Sequence, residues 1–321
     1  MSETEQLMRF PVPEAATPSS VVDPSARLAR PVRLWAAAVC GLTLLNLALA
    51  LWYVARTGDF RTFFSHQMLT PLLAILYACL GVVISARRPR NPIGWLFLIA
   101  ASSYVLSAWA AGAELTSTLL PGPLAPLLLD LAYWLGNWAW LPAQILPVTF
   151  VFLLFPDGHL PSYRWRPIGW AAGLGLALLM LGLAAHPGPV SDWGTRPNPF
   201  GVAGTEAVLT GVINVGAMGL MVGALGSMLA IVVRFRRSRG LERAQMKWLV
   251  YAAAVVLLIG VFVTPLWLSG GLSDDVAMEL SIVLTSLMTL GIAVAVTGAV
   301  VRYRLYDIDV IINRTLVYGV M

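Results

Sequence analysis

Eight long stretches of this 321-residue chain contain no Arg, Lys, Asp or Glu, and that absence restricts the medium in which the chain can fold. They cover residues 34–55, 67–86, 93–113, 131–155, 168–185, 207–233, 248–269 and 280–301, each 18 to 27 residues long. A helix needs about 20 residues to cross the hydrocarbon core of a bilayer. One charge at its centre costs about 2.5–3.5 kcal/mol on insertion scales. A soluble helix of this length would carry charges on one face to meet water, whereas these runs are apolar all round. Continuous runs without ten-residue alternation also exclude barrel strands. The expected fold is all-α: a polytopic transmembrane helix bundle of about eight spans.

Composition agrees. Apolar residues make up 58% and charged residues 12%, against about 45–50% and about 25% in soluble domains. The net charge of +5 is a matter of placement. Assigning the connections alternately to two sides puts 18 of the 21 Lys and Arg on one of them, leaving Arg56, Arg61 and Arg196 on the other. The positive-inside rule then predicts both termini in the cytoplasm. The basic balance reads as topology plus attraction to the lipid bilayer's anionic headgroups, not as a nucleic-acid surface. Trp35 and Trp52, about 25 Å apart along a helix, fit two interfacial belts.

Residues 1–31 hold Pro11, Pro13, Pro18, Pro24 and Pro31 with four acids and no apolar core of a signal peptide. They are expected to form a disordered cytoplasmic tail. Residues 32–301 would be the membrane domain and 302–321 a juxtamembrane segment. Cys40 and Cys79 fall inside the first two spans without metal-ligand spacing, and are expected as small buried side chains.

Two constellations stand out in the spans. In the sixth, Gly219, Gly223 and Ser227 form a small-xxx-small stripe that lets another helix approach closely. It serves either packing inside the bundle, the expectation here, or a homodimer seam. In the fourth, Asn137 and Gln144 lie seven residues apart, hence on one helical face, with Pro142 and Pro147 between and below them. Trp134, Trp138 and Trp140 crowd the same half of that span. An aromatic pocket with an amide to orient a guest is one reading. The plainer one, which we favour, is an interfacial belt with amides bonded across helices. No ionisable group lies inside a span, which argues against a proton-coupled carrier, and no nucleophile–base pair or metal set suggests catalysis.

After the last span, Leu305, Ile308, Ile312 and Leu316 recur at helical spacing, with Arg304, Asp307 and Arg314 on another face. Such a helix can lie in the headgroup layer. The sequence stops at Met321 as a new apolar run begins, so truncation before a further span is expected.

Several connecting segments resemble one family. Arg88-Pro-Arg-Asn-Pro-Ile-Gly-Trp95, Phe155-Pro-Asp-Gly-His-Leu-Pro161 with Arg164-Trp-Arg-Pro167, Glu242-Arg-Ala-Gln-Met-Lys-Trp248 and the run from Arg302 to Gly319 look like the membrane region of bacterial two-component sensor histidine kinases. The resemblance implies an inner-membrane input module for signal transduction. It makes Pro156, Asp157 and Gly158 a family-like loop, and Arg302, Arg304, Leu305, Asp307, Asp309, Asn313 and Arg314 a relay to an output domain. Such kinases continue into a phosphoacceptor helix and an ATP-binding domain, and an intact relative would be an ATP-dependent protein histidine kinase. Neither segment is in this sequence. No catalytic residue therefore transfers, no cofactor is expected, and a response regulator would be reached only through a kinase domain missing here. The alternative from another class is a permease or lipid-binding protein using Trp134, Asn137, Trp138 and Gln144.

Overall fold

A computed structural model of the chain describes residues 24–57, 69–111, 122–188, 198–268 and 274–302. These residues are helical with short turns, and no strand occurs among them. The elements are α1 (Pro24–Thr57), α2 (Leu69–Arg87), α3 (Pro92–Ala111), α4 (Ala125–Trp138), α5 (Leu141–Leu146), α6 (Phe152–Leu154), α7 (Arg166–Ala185), α8 (Glu206–Arg237), α9 (Gly240–Leu268) and α10 (Asp274–Arg302). Five segments, Thr70–Arg87, Pro92–Trp109, Ala125–Leu154, Tyr163–Ala185 and Glu206–Arg237, are long and apolar enough to cross a membrane. Shorter apolar runs occupy Ala37–Leu49 of α1 and Val283–Ala299 of α10. The large exposed side chains of α8, among them Val208, Met218 and Met221, would form an untenable patch in water. Against lipid they are in their proper solvent. This is a multi-pass membrane protein.

Each helix end has a local cause. Beyond Arg87 the chain turns through Pro89, and Asn91 starts α3 by accepting the Ile93 N–H at 3.0 Å on Oδ1, as an N-cap does. α4 runs into α5 through a turn at Ala139–Trp140, then into a π-helical turn at Pro147–Val151 and the short α6. Pro142 and Pro147 lack the N–H that an α-helical ladder needs there, and the wider turn absorbs the defect. Thr149 Oγ1 donates to the Ile145 carbonyl at 2.6 Å, supplying a side-chain bond where the ladder is irregular.

Two kinds of packing hold the bundle. The core is aromatic and aliphatic, with Tyr77, Phe97, Phe152, Phe155, Met246 and Ile292 fully buried among α2, α3, α6, α9 and α10. The α7–α8 pair instead makes backbone contact. A Cβ on Gly175 would lie 2.7 Å from the Leu220 nitrogen, and one on Gly216 would lie 2.7 Å from that of Leu179. Gly219 faces Ala171 and Gly175, while a Cβ on Gly223 would sit 2.6 Å from Ala172 Cβ. Ser227 is fully buried and returns its hydroxyl to the Gly223 carbonyl at 2.7 Å. The small-residue stripe is thus turned toward α7 of the same chain. A second close pair, which sequence reading passes over, is α2 with α3, where a Cβ on Gly94 would strike Ser85 Oγ at 2.3 Å.

Three expectations change. α1 begins at Pro24, inside the segment 1–31 read as a tail, because proline suits a first helical turn and the Ala, Leu and Arg that follow favour helix. Residues 1–23 lie outside the described part. The fourth span begins at Ala125, earlier than the charge-free run, and has a turn at Ala139–Trp140 whose residues keep right-handed helical dihedrals. Cys79 is exposed and Cys40 half-buried; a thiol is apolar enough to face lipid and needs no burial.

Gly223→Val should lower the thermal unfolding midpoint of the detergent-solubilised chain by the equivalent of about 1–3 kcal/mol. Gly211→Ala, whose added Cβ meets nothing within 4 Å, should leave it unchanged or raise it. Equal effects would reject backbone contact between α7 and α8.

Candidate functional site

The last turns of α8 carry Arg234, Arg236 and Arg237. At 32 residues the helix is about 48 Å long, against about 30 Å of hydrocarbon, so its basic end projects past the apolar layer. Cations there also oppose the negative end of the helix dipole. Arg236 and Arg237 are exposed, whereas Arg234 turns inward. Its side chain is 12% exposed.

Arg234 grips the loop that leaves α6. Nη1 donates to the Phe155 carbonyl, lies 3.5 Å from the Leu154 carbonyl and bonds Asp157 Oδ1 at 3.1 Å. Nη2 donates to the His159 carbonyl at 2.6 Å. The final carbonyls of a helix have no partner within it, and a guanidinium offers five N–H donors in a rigid fork. Arg234 is therefore a C-terminal cap delivered to α6 from another helix. Asp157 is 60% exposed, and its Oδ1 also accepts the His159 N–H at 3.2 Å. The carboxylate closes the loop more than it anchors the arginine.

Gly158 ties in a third element. Its φ of +81° is the left-handed conformation that favours glycine, and its N–H donates to the Leu154 carbonyl at 2.8 Å. A Cβ would stand 2.5 Å from Asn91 Oδ1 and 2.8 Å from Pro92 Cδ. The turn before α3, the Pro156-Asp-Gly-His loop and the end of α8 thus meet at one point. Behind them Ser238 is buried, its N–H bonded to the Arg234 carbonyl at 2.9 Å, and Gly240 at φ +56° turns the chain into α9. The Arg243 guanidinium lies 5.1 Å from the centre of the Phe235 ring. With backbone carbonyls as its main acceptors, the cluster joins the end of α8 to the loop and to the α2–α3 turn.

The opposite end of the bundle uses the same device. Trp134 Nε1 donates to the Ala184 carbonyl and Asn137 Nδ2 to the Leu183 carbonyl, both at 2.8 Å. Asn198 Nδ2 adds bonds to Ala184 and His186 at 2.8 Å each. Trp134 also packs edge-on against Trp138 and Phe200, with ring centres 5.1 Å apart in both pairs. The indole of Trp134 and the amide of Asn137 are thereby engaged on the end of α7. Gln144 is half-buried in α5 and has no bond to Asn137.

Two groups outrun the sequence reading. Arg234 is one, and its only cue is its place as the basic residue closest to the sixth apolar stretch. The other is a buried polar cluster. Tyr104 Oη bonds Thr289 Oγ1 at 3.3 Å, Tyr77 Oη approaches the Thr289 carbonyl at 3.5 Å, and Thr289 Oγ1 donates to the Thr285 carbonyl at 2.8 Å. The cue is a tyrosine in mid-span, away from the interfaces where tyrosine gathers. The cluster ties α10 to α2 and α3. Of the relay residues, Arg302 ends α10, while Arg304, Leu305, Asp307, Asp309, Asn313 and Arg314 lie outside the described residues.

Arg234→Gln should cost about 2–4 kcal/mol of unfolding stability, since hydrogen bonds to a charged group contribute about 1.5–3 kcal/mol each. Arg234→Lys should recover only part, having no fork, and Asp157→Asn should cost under about 1 kcal/mol. A lysine variant as stable as the parent would rule out the cap. For the polar cluster, a double-mutant cycle of Tyr104→Phe with Thr289→Val should give a coupling near 0.6 kcal/mol. Comparison with protein-family models, with curated proteins and with solved structures finds no match for this chain.

Proposed function

We propose that this chain is the membrane input module of a histidine-kinase-like signalling protein, with eight spans in a bacterial inner membrane and its basic end in the cytoplasm. The observation that carries the reading is the Arg234 joint. It brings the Asn91 turn and the Pro156-Asp157-Gly158 loop, two segments that resemble those of sensor kinases, together with the end of α8 in one mechanical unit. The sidedness follows from the 18-to-3 division of Lys and Arg under the positive-inside rule. A stimulus that alters helix packing at the far end, where Trp134 and Asn137 hold α7, would move α7 and α8 together through their glycine contact. The joint would carry that movement to the α2–α3 pair, and Tyr77, Tyr104 and Thr289 would carry it on to α10. The segment 302–319 would pass it to an output domain, and any kinase chemistry would reside there.

Population-shift signalling requires only that a stimulus bind or stabilise one of two packings more than the other. In a protein where this chain precedes its output domain, replacing residues 302–319 by an unrelated helix should abolish stimulus-dependent output with membrane insertion unchanged. An intact response would reject the relay. The chain in proteoliposomes should move neither solute nor lipid, and measurable flux would favour a permease instead. Reporter fusions should place residues 234–247 in the cytoplasm.

A further inference from the structure

The turns at the basic end hold eleven Lys and Arg, at 87–90, 164–166 and 234–247, against Asp157 and Glu242. Asp157 already serves Arg234. The excess is not spread evenly in character. At the start of α7 a 3₁₀ turn, Tyr163–Trp165, leads into the helix with Tyr163 75% exposed and Trp170 66% exposed, among the most exposed large apolar side chains described. The Arg166 guanidinium lies over the Tyr163 ring, 4.4 Å from its centre. That contact holds the guanidinium beside the ring. The side chains of Arg164 and Arg166 are exposed and have no carboxylate or hydrogen-bond acceptor among the described residues. In the span Tyr163–Ala185, fully buried residues make up a share of 22%, the lowest of the five apolar spans.

We infer that Tyr163, Arg164, Arg166 and Trp170 form a docking surface for the headgroup of an anionic phospholipid. Three physical requirements meet there. Two unpaired guanidiniums complement a phosphate, which they bind in forked, charge-assisted bonds. Two exposed aromatics suit the headgroup layer, where amphipathic rings settle. The open flank of α7 leaves room for the acyl chains along the helix. Arg56, 5.3 Å from the centre of the Trp52 ring in the last turn of α1, is a cation–aromatic pair at the other end without the second arginine, and it supplies a control. The inference does not depend on the signalling role or on which leaflet the basic end meets.

The full chain in detergent would be titrated with phosphatidylglycerol and, separately, with phosphatidylcholine of the same acyl chains, counting retained lipids by native mass spectrometry. Phosphatidylglycerol should be retained and phosphatidylcholine should not. Arg164→Gln with Arg166→Gln should weaken retention about 25-fold, roughly fivefold for each basic residue near a lipid surface. Arg164→Lys with Arg166→Lys, which keeps the charge without the fork, should recover only part of it, and neither Arg56→Gln nor Arg236→Gln with Arg237→Gln should change it by more than about twofold. Both arginines are exposed, so the variants should unfold at the parent's temperature; if the glutamine pair does not, the lysine pair and the two-lipid comparison still decide. Equal retention of phosphatidylcholine overturns the proposal. So does an equal loss from the Arg236 and Arg237 pair, which would mean diffuse attraction. Displacement by glycerol 3-phosphate at the lipid's own concentration would mean a site for free phosphate and overturns it as well.

Discussion

A backbone carbonyl at the end of a membrane helix must find a donor, and the architecture of this protein is organised around that need. In hydrocarbon an unpaired polar group costs several kcal/mol, and the last turn of any helix leaves its carbonyls open. Here the donors come from far along the chain. Arg234 reaches the end of α6 across 79 positions to Phe155, and Trp134 reaches the end of α7 across 50 to Ala184. Each bond therefore closes one helix end and fixes the position of a second helix. Capping and tertiary structure are the same interaction.

Within the apolar layer the logic differs. Lipid tails are as apolar as leucine, so helices gain little by hiding leucine from them, and association rests on close packing. The α7–α8 contact through Gly175, Gly216 and Gly223 is the strongest instance. It explains how α7, with few of its residues fully buried, is still held. α10 is held otherwise, through buried Ile292, Val296 and Thr289. The α7–α8 pair is thus joined backbone to backbone, and α10 is joined to its neighbours by side chains.

Much of this was legible beforehand, and unevenly. The order and type of the helices follow from charge-free runs, since charge exclusion from hydrocarbon is a one-dimensional property of the sequence. The glycine stripe was legible as a packing face for the same reason: spacing along one helix is local information. The clamp was not. Arg234 belongs to a run of six basic residues between 234 and 247 that looks uniform in sequence, and only a loop brought within reach by other helices separates it from Arg236 and Arg237. Pro156, Asp157 and Gly158 were visible as a motif, but their reason, a φ of +81° pressed against Asn91, needs the partner's position. Asn137 was visible as an amide in the fourth span, but its partner, the Leu183 carbonyl, lies on another helix and is not readable from spacing.

By itself, then, the sequence determined the solvent, the helical class and the basic character of one end, because each depends on composition within a single segment. Which arginine turns inward, which glycines touch and which tyrosines share a threonine were decided only by the tertiary structure. Those are pairings between helices, and a helix's own residues do not specify which neighbour supplies the missing hydrogen-bond partner.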